Sequence, residues 1–199
     1  MKKLLFILSF SFLASAGFAQ HIGVKGGATY STFRGSGAPE YNYRVGYTAG
    51  AFYQHHFHQV MGVQVEGLVT SKGASREAAP NVLDSYRLTY LDVPVLFHAS
   101  TGGWFFDLGP QASFLLAGRQ VRENTASAET TTTTRTNITD HPHTIDFGAV
   151  VGLGYRAPNG VGLEARYAPG LKRIDDEGPL AGSDRRNIPF NFMVSYLLR

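Results

Sequence analysis

Apolar and polar residues alternate along most of this chain with a period of two. In VGLEARYA, residues 161–168, Val161, Leu163, Ala165 and Tyr167 share one side while Gly162, Glu164 and Arg166 share the other, as in a strand with one apolar and one polar face. The same alternation predicts strands over 22–32, 44–54, 61–72, 104–116, 144–156 and 188–198, with Phe52 out of phase in the second of them. An eighth segment, YRLTYLDVPVLFHA at 86–99, changes phase: Tyr86, Leu88 and Tyr90 are in step, then Leu91, Val93, Val95 and Phe97 take over. A bulge near Tyr90–Leu91 would account for the slip, and would accommodate Pro94, which has no N–H to give to a ladder.

The links between these eight segments alternate strictly. Those at about 33–43, 73–85, 117–143 and 169–187 are long, whereas HHFHQV, STGG and PNG are short. An up-and-down barrel with short turns on the periplasmic side and long loops outside produces this asymmetry. The longest link contains ENTASAETTTTTRTN, residues 123–137, which buries little apolar surface and reads as a mobile loop.

Strand identity alone leaves open which face is hidden. The polar faces are rich in Gly, Ser and Thr and carry a few charges of both signs: Lys25, Arg44, Glu66, Asp107, Asp146, Glu164 and Arg166. Small residues with balanced charge suit the narrow interior of an eight-stranded barrel, where such charges pair into a polar plug. The apolar faces place aromatics near strand ends, at Tyr30, Tyr47, Tyr53, Trp104, Tyr155, Tyr167, Phe190 and Tyr196, as membrane-interface girdles require. The pattern therefore predicts an all-β fold, an eight-stranded antiparallel up-and-down transmembrane β-barrel with its charged side within.

The N-terminus agrees with export. Lys2 and Lys3 precede an apolar run from Leu4 to Leu13 and small residues ending at Ala19, the layout of a cleaved signal peptide over 1–19 followed by one barrel domain over 20–199. Removing Lys2 and Lys3 lowers Lys and Arg from 18 to 16 against 15 acidic residues, so no excess of positive charge points to nucleic acid. With no cysteine, disulfides, thiolate metal sites and a Cys nucleophile are excluded.

The segments GVKGGATYSTF, RVGYTAGAFYQ, VQVEGLVTSKG, LTYLDVPVLF, FDLGPQASFLLAG, DFGAVVGLGY and GLEARYAPGLKRI resemble, in that order, the successive strands of the PorT-like outer-membrane β-barrel family of Bacteroidetes, with YLDVP, DLGP and ARYAPGL the most specific. The resemblance implies an outer-membrane location and, as partners, outer-membrane lipid, the barrel-assembly machinery and other envelope or secretion proteins.

Chemical motifs are sparse. Of His55, His56 and His58 in HHFH, His56 and His58 can share a strand face and offer imidazoles to Zn or Cu without a third ligand, and His141 and His143 in HPH are no stronger a signal. His98, Ser100 and Asp92 are the residues available for a lipid A-modifying enzyme, though no spacing rule selects them. Glu66, Glu164 and Arg166 read as interior pairing, and GVKGG lacks the GK[ST] of a phosphate loop. We expect no catalytic, cofactor or metal site. The expectation is a non-enzymatic outer-membrane barrel whose long external loops serve interaction, adhesion, or envelope or secretion support. The alternatives are a secreted soluble lipocalin-like barrel around a small hydrophobic ligand and the lipid A-modifying enzyme.

Overall fold

A computed structural model describes residues 20–35, 41–127, 130–138, 144–174 and 185–198. The proposed leader over 1–19, together with His141 and His143, lies outside these. Nine antiparallel strands occur: β1 (Gln20–Arg34), β2 (Asn42–His58), β3 (Met61–Ala79), β4 (Val82–Thr101), β5 (Trp104–Ser127), β6 (Thr130–Asn137), β7 (Ile145–Arg156), β8 (Val161–Tyr167) and β9 (Arg186–Leu198). Each pairs with its neighbour in the chain, except that β5 pairs with both β6 and β7. Pairing of β1 with β9, from Ile22–Leu198 to Arg34–Arg186, closes the other eight strands into a ring. No described helix is long and apolar enough to cross a membrane, and this ring needs none, since closure pairs every strand edge within the wall.

The alternating faces decide the orientation. Val45, Leu163 and Phe192 are 65, 62 and 60 % exposed, whereas Lys25, Glu66, Glu164 and Arg166 are buried. A lipocalin-like barrel would show the reverse, so the soluble alternative is overturned by the direction of the apolar face. On β4 the outward run Phe97, Val95, Val93, Leu91 gives way to Thr89 and Arg87, which defines an apolar belt about nine to eleven residues tall along a tilted strand. Aromatics mark its edges. Trp104 and Tyr155 meet at 5.5 Å on the short-turn side, and Tyr167 and Phe190 at 4.9 Å on the opposite side.

Three expectations are corrected. The link over 73–85 is no loop: β3 and β4 run on past the belt and meet in a tight turn where Asn81 adopts φ 66°, a left-handed conformation that Asn tolerates. Within the polar tract, residues 123–127 likewise form the end of β5 and 130–137 the whole of β6, because Thr is β-branched and suits a strand even where nothing apolar is buried. Finally, β4 itself keeps one alternation throughout. Tyr86, Leu88 and Tyr90 face inward and Leu91, Val93, Val95 and Phe97 outward, so the change of phase records two apolar environments. The irregularity lies on β5, where Leu116 is left over between the pairs Thr89–Ala117 and Tyr90–Leu115.

Candidate functional site in the barrel interior

Inward-facing side chains divide the lumen into tiers. On the short-turn side, Arg166 of β8 donates to Glu66 of β3 from Nη1 at 2.7 Å and from Nη2 at 2.8 Å, and from Nε to Glu164 at 2.7 Å. Lys25 of β1 bridges the same two carboxylates, 2.9 Å from Glu66 and 2.8 Å from Glu164. Gln64 donates to Glu66 at 2.6 Å, and Asp107 lies 3.9 Å from Arg166. Arg166 forms the forked pair that a planar guanidinium makes with a carboxylate. Room for this network comes from β7: at Gly152 a Cβ would stand 3.0 Å from Glu164 Oε1.

Closer to the turns, His98 Nδ1 and Asp107 Oδ1 are 2.6 Å apart, and the ring of His98 packs against Phe105 at 5.5 Å and His56 at 5.7 Å. Arg156 lies over Phe52 and Phe105 and donates to Gln54 at 3.1 Å. The out-of-phase Phe52 is therefore an interior residue, with Lys25 5.0 Å above its ring.

Further out, Lys72 pairs with Asp92 at 2.8 Å, Thr48 with Thr70 at 3.0 Å and Thr29 with Asn191 at 2.8 Å. The outer mouth holds a different material. Phe33, Tyr41, Tyr86, Leu88, Tyr90, Leu115, Ile138 and Ile174 form one buried apolar cluster, which Arg76 and Arg185 cover over the ring of Tyr41. Beyond it, Asp84 accepts two hydrogen bonds from Arg122, at 2.7 and 3.0 Å. The Arg122 hydrogen bonds, aided by the charges of Arg122 and Arg76, outweigh desolvation and hold the Asp84 carboxyl below its ordinary value.

Of the seven charges read as an interior set, Lys25, Glu66, Asp107, Glu164 and Arg166 meet. Asp146 stands apart, accepting from the Lys172 backbone N–H at 3.3 Å, and Arg44 lines a groove with Arg87 and Arg119. Lys72, Asp92, Gln54 and Arg156 extend the interior set beyond those seven. Lys72 continues the polar face of 61–72, and Asp92 falls on the inward phase of YLDVP, so both were legible by phase. The catalytic trio does not assemble: His98 holds Asp107, Asp92 holds Lys72, and His98 Nε2 has no hydrogen-bond partner, Ser100 included. His56 and His58 do not form a common ligand pair either. A register shift separates them, His56 meets His21 and His98 edge-on, and His58 Nδ1 accepts from the Val60 N–H in the turn.

Comparison with known proteins places this geometry. A family model described as outer membrane protein beta-barrel domain matches residues 18–176. Among solved structures, Ail, the attachment invasion locus protein of Yersinia pestis, crystallised with the heparin analogue sucrose octasulfate, is similar at a TM-score of 0.53 and 12 % identity, covering 90 % of this chain and 99 % of Ail. Neisserial surface protein A is similar at 0.50 and 13 %, covering 88 % of this chain and 96 % of its own. No curated protein sequence matches.

Proposed function

Because this chain belongs to the outer membrane protein beta-barrel domain family and resides in the outer membrane, we propose that it is a non-enzymatic barrel with a plugged interior whose external hairpins carry its function by interaction or adhesion. The observation that supports this reading is the contrast between lumen and exterior. The lumen is occupied by cross-strand ion pairs and an aromatic cluster, whereas β3–β4 and β5–β6 continue well past the apolar belt as paired polar strands. An eight-stranded wall encloses space that side chains fill, so solutes have no path and the external strands offer the larger recognisable surface.

The test has two arms. Purified barrel in planar bilayers gives no steady conductance, and cells displaying it adhere to an anionic glycan surface in a way that is lost when Arg76–Asp84 and Val121–Arg135 are replaced by short Asn-Gly turns, which leaves Tyr86, Arg87 and Arg119 in place. A stable open channel would overturn the plugged reading, and adhesion unchanged by hairpin removal would overturn the other. The choice of an anionic surface follows Ail, of the same fold, which was crystallised with a heparin analogue.

Within the family, the YLDVP, DLGP and ARYAPGL segments support a PorT-like assignment and a role in envelope or secretion support, reached through the barrel-assembly machinery. Deleting the gene and finding secretion intact would remove that role. We also propose cleavage after Ala19; the intact mass of the membrane-extracted protein checks it.

A further inference from the structure

Where the apolar belt ends on the outside of the wall, positive charge gathers with no ion-paired acid among the described residues. Arg87 of β4 stands directly across from Arg119 of β5, and Arg119 across from Asn137 of β6. Arg135 lies two residues further along the same face of β6. Like charges directly opposite on one face of an antiparallel pair are destabilising, so this pair is better accommodated with an anion between its members.

The neighbouring wall opens at the same level. Pairing of β2 with β3 stops at Tyr43–Ala74 and resumes one residue out of step at Thr48–Thr70. Beneath the gap, Ser31 of β1 bonds straight to Gly73 of β3, with 2.9 Å to both its N–H and its carbonyl. The bulged β2 and the faces of β3, β4 and β5 then enclose a groove of about 630 Å³, lined among others by Arg44, Arg87, Arg119, Ser71, Thr89 and Asn137. Arg44 Nη1 is buried with no hydrogen-bond partner, and among the described residues no carboxylate forms an ion pair with any of the three arginines.

We propose that this groove is a binding site for the phosphate of an outer-leaflet lipid headgroup, held between Arg44, Arg87 and Arg119 with hydroxyl donors from Ser71 and Thr89. Guanidinium is suited to this chemistry, since its fixed fork of donors matches phosphate oxygens. The height of the groove selects the lipid source. Val45, Tyr47 and Leu91 lie beside it on the belt, where the acyl chains of such a lipid would run. The site rests on the outer-membrane location alone and is independent of what the external hairpins engage.

The experiment uses the barrel in maltoside micelles doped with dipalmitoyl phosphatidic acid or with phosphatidylcholine, with retained lipid counted by native mass spectrometry. The native chain is expected to retain phosphatidic acid in preference, and Arg87→Gln/Arg119→Gln to retain it at least about tenfold more weakly. Without added lipid the double variant is at least as heat-resistant as the native barrel, because a like-charge pair has gone; lower resistance would mean that the arginines serve structure, and would overturn the site. Equal retention of the two lipids, or retention unaffected in the double variant, would also overturn it. Inorganic pyrophosphate binding as tightly as the lipid would overturn the lipid source in favour of a free anion. Arg44→Gln, which removes the unpartnered Nη1, is a second, independent variant read against the same retention outcomes.

Discussion

Two arginine–carboxylate pairs join strands of this barrel with nearly identical bond lengths and opposite surroundings. Arg166 and Glu66 meet at 2.7 Å with side chains 1 and 0 % exposed; Arg122 and Asp84 also meet at 2.7 Å, but Arg122 is 52 % exposed. Either charge orphaned in the first pair has no water to turn to, whereas in the second Arg122 rehydrates when orphaned and only Asp84, 0 % exposed, does not. Bond length therefore says little about what each pair is worth, and burial says most of it.

The largest effect expected is from Arg166→Met, which leaves Glu66 and Glu164 sharing Lys25 alone, with one buried negative charge uncompensated, and costs about 3–5 kcal/mol. Urea unfolding in micelles, followed through the single tryptophan Trp104, measures it. A loss near zero would place water among these side chains and erase the contrast. Tyr86→Ala, in the outer apolar cluster, is expected to cost about 3 kcal/mol and to raise hydrogen exchange in the outer half of β4 while leaving the turn side protected. The double variant Arg166→Met/Glu66→Leu should recover more than half of the single-variant loss, since Lys25 and Glu164 still pair and a matched apolar replacement leaves fewer stranded charges. An additive cycle would show that the two residues act separately.

Asp84→Asn is expected to have the smallest effect, within about 1 kcal/mol, and its signature is pH. Because the folded carboxyl titrates below its ordinary value, its contribution is complete above the unfolded value of about 4 and fades as pH falls through the lower folded one. Amide protection in the β4–β5 hairpin, corrected for intrinsic exchange, should decline in that acid window in the native chain and stay flat in Asp84→Asn.

Periodicity in the sequence carries the faces of the strands well and the meetings across the lumen poorly. In VGLEARYA the charged side is the inward one, as Gly, Ser and Thr in the polar phase imply. Which carboxylate Arg166 reaches depends on the stagger of β8 against β3, strands that never pair, and no local pattern encodes that offset. The phase change in YRLTYLDVPVLF is visible in the letters, yet its cause is the aromatic cluster at the outer mouth, built by residues as distant as Phe33, Ile138 and Ile174. Arg87 and Arg119 look like ordinary hairpin charges until register sets them side by side.

The seam between β1 and β9 joins residues 22 and 198, so its loop is the longest in the molecule and its contact order the highest. Pairings of that separation form slowly. Until they form, β1 and β9 both present open edges, each able to capture another chain. The same hydrogen bonds that make the finished ring edgeless thus make every intermediate before closure adhesive, and the cell must shelter the strands until the last one docks.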